Sequence, residues 1–186
     1  MAPKIMGEKD GQLVQLFGWD TDATGPECRD FMHQFLTSLT RELEKLGIAD
    51  KTYFHVSDEP TDEQFESYKA AKEMVEKDLK GYQMIDALSS YGFFEKGVVS
   101  QPICSVDHIQ PFLEKRPEKL WGYYCTVQYL DVSNRFIAQP GYRTRILGTQ
   151  LYKYQLDGFL HWGYNFYNAE HSIFTIDPYR CTDAAG

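Results

Sequence analysis

The stretch TYFHVSDEPTDEQFESYKAAKEMVEKDLKG, residues 52–81, changes its apolar period half way along. Its first part alternates: Phe54 and Val56 form one phase, and Tyr53, His55, Ser57 and Glu59 the other. Period two is the mark of a half-buried strand. After Pro60 the period becomes helical. Thr61 stands as N-cap with Gln64 three residues on, a capping-box pattern. Phe65, Tyr68, Lys72, Val75 and Leu79 follow on one helical face, with the Lys72 stem lying along it, and Gly81 closes the helix. The stretch therefore predicts a strand feeding a helix. Two consecutive carboxylates, Asp58 and Glu59, stand at the junction.

The same rhythm recurs along the chain. Strand-like runs occur at LVQLFGWD (13–20), TYFHVSDE (52–59), DALSSYGFF (86–94), LWGYYCTVQ (120–128) and GFLHWGYNF (158–166), at intervals of 33 to 38 residues. A helix over 26–47 opens at Pro26 and stops at Gly47, with Phe31, Phe35, Leu39, Leu43 and Leu46 as its expected apolar face. The segment 107–115, with Pro111, reads as a shorter helix, and 141–154 as another. Alternating strands and helices at this spacing predict parallel βα units, hence an α/β fold of (β/α)8 TIM-barrel type. A complete barrel runs to about 250 residues, roughly 31 per unit. About five units fit here, so the expectation is one domain over 1–186, a partial barrel truncated at both ends. The closing run DPYRCTDAAG carries no final strand signal.

Composition removes several classes of function. The 186 residues are 42% hydrophobic, enough to build a core, and the formal net charge of −8 repels a duplex nucleic acid. Cys28, Cys104, Cys125 and Cys181 are too far apart for a zinc or redox CxxC motif. Neither a metal nor a cofactor is implied. No membrane-length apolar run is present, and MAPKIMGEKDG has no signal-peptide core, which leaves a cytoplasmic location as the default. Aromatics reach 15% of the chain, a stock of flat surfaces for sugar rings or for core packing.

In a barrel, Phe54 and Val56 would face the outer helices. Tyr53, His55, Ser57 and Glu59 would then face the interior, with Glu59 at the C-terminal mouth where active sites of this architecture lie. Asp58 faces away unless the chain bends before Pro60. The bland alternative is that both acids only favour the positive end of the next helix. Other strand ends carry Trp19, Asp20 and Asp22; Ser89, Ser90 and Tyr91; Tyr123, Tyr124 and Gln128; and His161, Trp162, Tyr164 and Asn165. Aromatic plates mixed with amides and hydroxyls suit a carbohydrate. Core packing for the aromatics, and supporting hydrogen bonds for the polar groups, are the structural alternatives.

Ordinary retaining glycosidases use an acid and a separate nucleophile about 5 Å apart, and inverting enzymes place the pair further apart. Adjacent residues do not easily act on opposite sides of one bond. A substrate whose own 2-acetamido oxygen attacks needs one acid, plus one carboxylate to orient the acetamido group. Consecutive Asp-Glu fits that arrangement better. A conventional pair using Asp20 or Asp22 stays open, as does a fragment that binds carbohydrate without cleaving it.

The runs FGWDTDATGPE, YFHVSDEP, DALSSYGFFEKG, DVSNRF, LYKYQLDGFLHWGYNFYN and IDPYRCTDAAG resemble the catalytic domain of glycoside hydrolase family 123 and its relatives of unassigned function. The resemblance covers nearly all of the chain from about Leu16. It implies a retaining β-N-acetylgalactosaminidase of (β/α)8 type working by substrate assistance. Glu59 would be the general acid/base, and Asp58 would stabilise the acetamido group and the oxazolinium-like intermediate. HWGYN matches a sugar-lining segment. Placement adds Trp162 as ring platform, with Tyr91, Tyr124, Tyr164, Asn165 and His55 as further substrate contacts. The family's domain begins earlier and carries a further strand, so this chain corresponds to roughly the third to seventh strands. Self-association or a complementing barrel segment is the expected remedy for unpaired edges.

Overall fold

The computed structural model describes residues 4–136 and 139–163. The chain opens with an antiparallel hairpin, β1 (Ile5–Lys9) and β2 (Gln12–Phe17), turning at Asp10-Gly11. Both turn residues have positive φ, 54° and 76°, the chemistry expected of a two-residue Asp-Gly hairpin loop. This corrects the reading of 13–20 as the first parallel strand. The Asp-Gly signal commits that run to pairing with residues 5–9, in a two-stranded sheet of its own.

Helix α1 (Pro26–Lys45) follows, with Pro26 in its first turn, and Gly47 beyond it at φ 67°. Its buried face is turned from the expected one. Cys28 and Leu36 are buried and Met32 packs with both, whereas Phe35 and Leu46 are 48% and 69% exposed. Two neighbours set that face. Phe17 of β2 packs on the first turns, and Val75 and Leu79 pack on the later ones.

Five parallel strands then build the main sheet in chain order: β3 (Tyr53–Phe54), β4 (Gln83–Leu88), β5 (Gln101–Ser105), β6 (Trp121–Tyr123) and β7 (Gly158–Leu160). Helices α2 (Phe65–Val75), α3 (Gly92–Glu95), α4 (Gln110–Glu114) and α5 (Gly141–Tyr154) occupy the connections. The capping box forms as expected: Thr61 N donates to Gln64 Oε1 at 2.9 Å, and a single 3-10 turn (Asp62–Gln64) leads into α2. Over the described residues the chain is thus an α/β partial barrel with five parallel strands, although their membership differs from the sequence reading. The run 86–94 is strand only to Leu88, and its Tyr-Gly-Phe-Phe part turns into α3. The strand QPICS was missed, because it is short and Pro102 reads as a strand breaker.

Side-chain alternation separates two faces. Leu88, Cys104, Phe93, Phe112 and Leu120 are fully buried, or nearly so, in the cluster on the helix side. The opposite, concave face carries Ile85, Ala87, Ile103, Trp121, Tyr123 and Leu160. Three strand spacings separate β3 from β6, about 14 Å in a flat sheet. Yet the rings of Tyr53 and Trp121 are 5.5 Å apart, and Lys119 reaches Gln83 Oε1 at 3.3 Å. The sheet curls, and it brings the ends of β3 and β6 toward each other over β4 and β5.

Gly158 fits this curl, since a Cβ there would run into the Trp121 indole on the neighbouring strand. Gly158→Ala is expected to displace Trp121 from Tyr53 and to destabilise by about 1–3 kcal/mol, read as a lowered urea midpoint. An unchanged midpoint would remove Trp121 from its place in the curl.

Candidate active site

Pairing of β3 with β4 ends at Phe54. Beyond it the backbone is held by a side chain. Asp86 Oδ1 accepts from Val56 N at 2.8 Å and from Ser57 N at 3.1 Å. Its other oxygen accepts from the Tyr68 hydroxyl of α2 at 2.5 Å. The ladder resumes for one bond, Glu59 N to Ala87 O at 3.1 Å. Glu59 itself lies in the left-handed region, φ 42°, which is unusual for a side chain of its size and turns the chain just before the buried Pro60. The bend expected near Pro60 is therefore centred on Glu59.

Asp86 is 2% exposed. Burial pushes its carboxyl above the ordinary value of 3.8, against the opposing pull of its hydrogen bonds from Tyr68, Ser57 and Val56. Its ionised form is therefore the costly one. The associated stability is fully present below the unfolded carboxylate's value and is lost as pH rises through the raised folded value.

The turn at Glu59 aims its side chain over the concave face. There Glu59 Oε1 accepts a short hydrogen bond from the Tyr123 hydroxyl at the end of β6. Tyr123 is 4% exposed; burial, then the bond to Glu59, raises its phenol, while hydrogen bonds with Ser89 and Ser105 pull the other way. Ser105, at the end of β5, donates to Asp107 Oδ1 and accepts from Gln128 Nε2 at 3.0 Å. Gln128 Oε1 accepts from Cys125 N at 2.7 Å, and His108 Nδ1 lies 3.0 Å from Asp107 Oδ1. Burial raises Asp107, but the bonds from Ser105 and His108 outweigh it and hold the carboxyl below its usual range. Asn134 of the DVSNRF run ties the loop after β6 to this network, donating to Cys125 O and Gln128 O at 2.7 Å each.

The expected site residues divide between the two faces. Glu59 and Asp58 are exposed at the C-terminal ends of the strands, and His55 is exposed on the same segment. Trp162 lies two residues beyond β7 and is 52% exposed. Tyr91 instead packs edge-to-face among phenylalanines on the helix side, its ring 5.1 Å from Phe112 and 5.7 Å from Phe94. Tyr124 is 2% exposed, with its ring 4.7 Å from Phe159. Tyr164 and Asn165 lie outside the described residues. Of the alternative acids, Asp22 accepts from the Thr24 amide and hydroxyl at 2.9 Å each in the turn that leads into α1, and those bonds hold it below its usual range. Both Asp20 and Asp22 follow the hairpin rather than a strand of the main sheet.

Among the described residues no cluster of His, Cys, Asp or Glu is arranged to hold a metal ion. The mouth presents one carboxyl, hydrogen-bonded to the Tyr123 hydroxyl, with a second carboxyl one residue away. The curled parallel sheet and the side chains at its strand ends belong to a chain that a glycoside hydrolase family model matches. The matching model is "Glycoside hydrolase 123, catalytic domain", it covers residues 1–186, and the chain belongs to that family. Among solved structures, a family 123 glycoside hydrolase from Clostridium perfringens, described for the details of glycolipid glycan hydrolysis, shares the fold with a TM-score of 0.61 at 18% identity. The match covers 83% of this chain and 27% of that one, so this chain spans about a quarter of the solved structure's length. No curated protein matches.

Asp86, Ser105 and Asp107 escaped the sequence reading. Asp86 looked like the start of a strand, Ser105 ends the strand that was missed, and Asp107 follows it. Asp86→Ala strands two backbone N–H groups and the Tyr68 hydroxyl, and is expected to cost about 3–5 kcal/mol. Asp86→Asn keeps an oxygen for the two amides and removes the buried charge. Its unfolding free energy is expected to vary less with pH than the parent's across the range just above 3.8. Parallel pH–stability curves for the two proteins would contradict the assignment of that dependence to Asp86.

Proposed function

We propose that the chain carries the machinery of a retaining hydrolase that removes terminal β-linked N-acetylhexosamine, with N-acetylgalactosamine as the expected sugar. Glu59 protonates the leaving oxygen and later deprotonates water. Asp58 orients the 2-acetamido group and stabilises the oxazolinium-like intermediate that its oxygen forms at the anomeric carbon. The observation that carries this reading is the turn at Glu59. It places one carboxyl on the concave mouth against Tyr123, with a second carboxyl one residue away. Neighbours along a backbone do not easily flank a glycosidic bond as acid and nucleophile. They can serve a substrate that supplies its own nucleophile. Trp162, exposed beyond β7, is the proposed ring platform, and His55 a proposed contact. Glycolipid glycans, named for the Clostridium enzyme, are the first natural substrates to try.

Glu59→Gln is expected to lower kcat by about 10²–10⁴-fold on an aryl N-acetyl-β-galactosaminide, with an unchanged melting curve. Turnover near the parent's would sink the assignment. The matching plain β-galactoside should be cleaved far more slowly than the acetamido sugar, and equal rates would exclude the substrate's acetamido group as nucleophile.

A second reading is supported by the sheet. Among the described residues β3 and β7 each have a strand neighbour on one side only. Such a half-barrel suits carbohydrate binding without turnover, until a complementing segment or a second copy completes the wall. Calorimetric binding of N-acetylgalactosamine without hydrolysis over long incubation selects it.

A further inference from the structure

Helix α5 sits on the sheet differently from its neighbours. Helices α1, α2, α3 and α4 each bury at least one side chain, whereas α5, at 14 residues, buries none. Its half-buried face carries Leu147, Gln150, Leu151 and Tyr154 at helical spacing, and these line a gap of about 170 Å³. Val106, Ile109, Leu156 and Phe159 form the facing wall, and residues 131–133 of the loop after β6 complete it. We propose that this gap is a binding site for a small neutral alcohol with an aromatic or branched apolar body.

The gap lies behind the sheet, away from the mouth. Phe159 packs on Tyr124, with 4.7 Å between the rings, while its neighbour Leu160 joins Tyr123 on the concave face. Strands β6 and β7 therefore stand between the gap and Glu59. Polar ties at both ends of α5 hold the helix in place. Near its start Arg143 donates to Tyr129 O at 2.8 Å and to Val132 O at 3.4 Å. At its finish Arg116 donates to Tyr154 O at 2.8 Å. These ties fix the helix without packing beneath it, and they keep the gap open.

Size and chemistry choose the ligand. An apolar cavity of about 150 Å³ holds one benzene ring, so this gap takes a ring and a short polar arm. Ser133 lines the gap, is 5% exposed, and its hydroxyl has no hydrogen-bond partner. A buried hydroxyl in that state favours an occupant that completes it. Ser133 can donate and accept, as can the Gln150 amide, and an alcohol does both in return. The apolar walls disfavour a charged body, and the Asp131 carboxylate at the exposed rim disfavours an anion in particular. Water alone would satisfy Ser133 but would leave the apolar walls wet.

The test is an NMR titration of the 15N-labelled full chain with benzyl alcohol, toluene and benzoate, read from the backbone amide shifts. Benzyl alcohol is expected to bind saturably, with shifts centred on residues 131–134 and 147–154. Toluene lacks the hydroxyl and should bind about 2–10-fold more weakly, the worth of one hydrogen bond. Benzoate should bind more weakly still. Ser133→Ala should weaken benzyl alcohol to the level of toluene and leave toluene unchanged. Should that variant not fold, the order of the three ligands on the parent chain decides. Absence of saturation, which would leave water alone in the gap, overturns the site. So do saturable shifts centred elsewhere, toluene bound as well as benzyl alcohol, or benzoate bound as well as either. The titration needs no turnover, so its outcome is separate from that of the glycosidase reading.

Discussion

A buried carboxylate takes the place of a strand. β3 pairs with its neighbour over only two residues, Tyr53 and Phe54, and the segment that carries Asp58 and Glu59 has no continuous ladder to fix it. Asp86 supplies the missing acceptors from β4, and Tyr68 of α2 fixes Asp86 in turn. Sheet, helix and acid-bearing turn therefore meet at one side chain that is almost wholly buried. Burial alone would make a carboxylate there unfavourable, and three donors converging on it reduce that cost. The left-handed Glu59 follows directly, its amide pinned to Ala87 O while its side chain crosses to β6.

The curl of the sheet is the second requirement. Tyr123 belongs to β6, three strands from β3, and meets Glu59 only because the concave face closes over β4 and β5. Trp121 on Tyr53 marks that closure at the lower end and Tyr123 on Glu59 at the upper. Bulk along β6, paired with Gly158 on β7, makes the shape possible. The mouth depends in the same way on the loop after β6, which Asn134, Gln139 and Arg143 bind to its own backbone carbonyls.

How far this could be read from the sequence depended on how local the determinant was. The unit 52–81 was legible because its strand phase, capping box and closing glycine lie within its own residues, and Phe54, Val56, Tyr68 and Val75 pack as their periods require. The α1 face was misjudged because the neighbours that choose it, Phe17 and Leu79, are distant in the chain. The hairpin was legible in Asp10-Gly11 and was overlooked in favour of the regular rhythm. Strand β5 carries a proline and little length, so its end, and Ser105 with it, gave no periodic signal. Alternation placed Glu59 correctly on the interior face but could not place Tyr91, since β4 stops at Leu88 and a helical turn redirects the ring. Asp86 could not have been recognised from sequence, because its partners are about 20 to 30 residues away.

The central claim is that adjacent carboxylates serve a substrate carrying its own nucleophile. The most direct measurement is the hydrolysis rate of an aryl β-galactosaminide series whose N-acetyl methyl bears none, one, two or three fluorines. Fluorine withdraws charge from the attacking amide oxygen and leaves the leaving group untouched. The account predicts a steep fall in kcat/KM with each fluorine added. A rate independent of fluorination would contradict it, because the attacking oxygen would then come from the protein or from water.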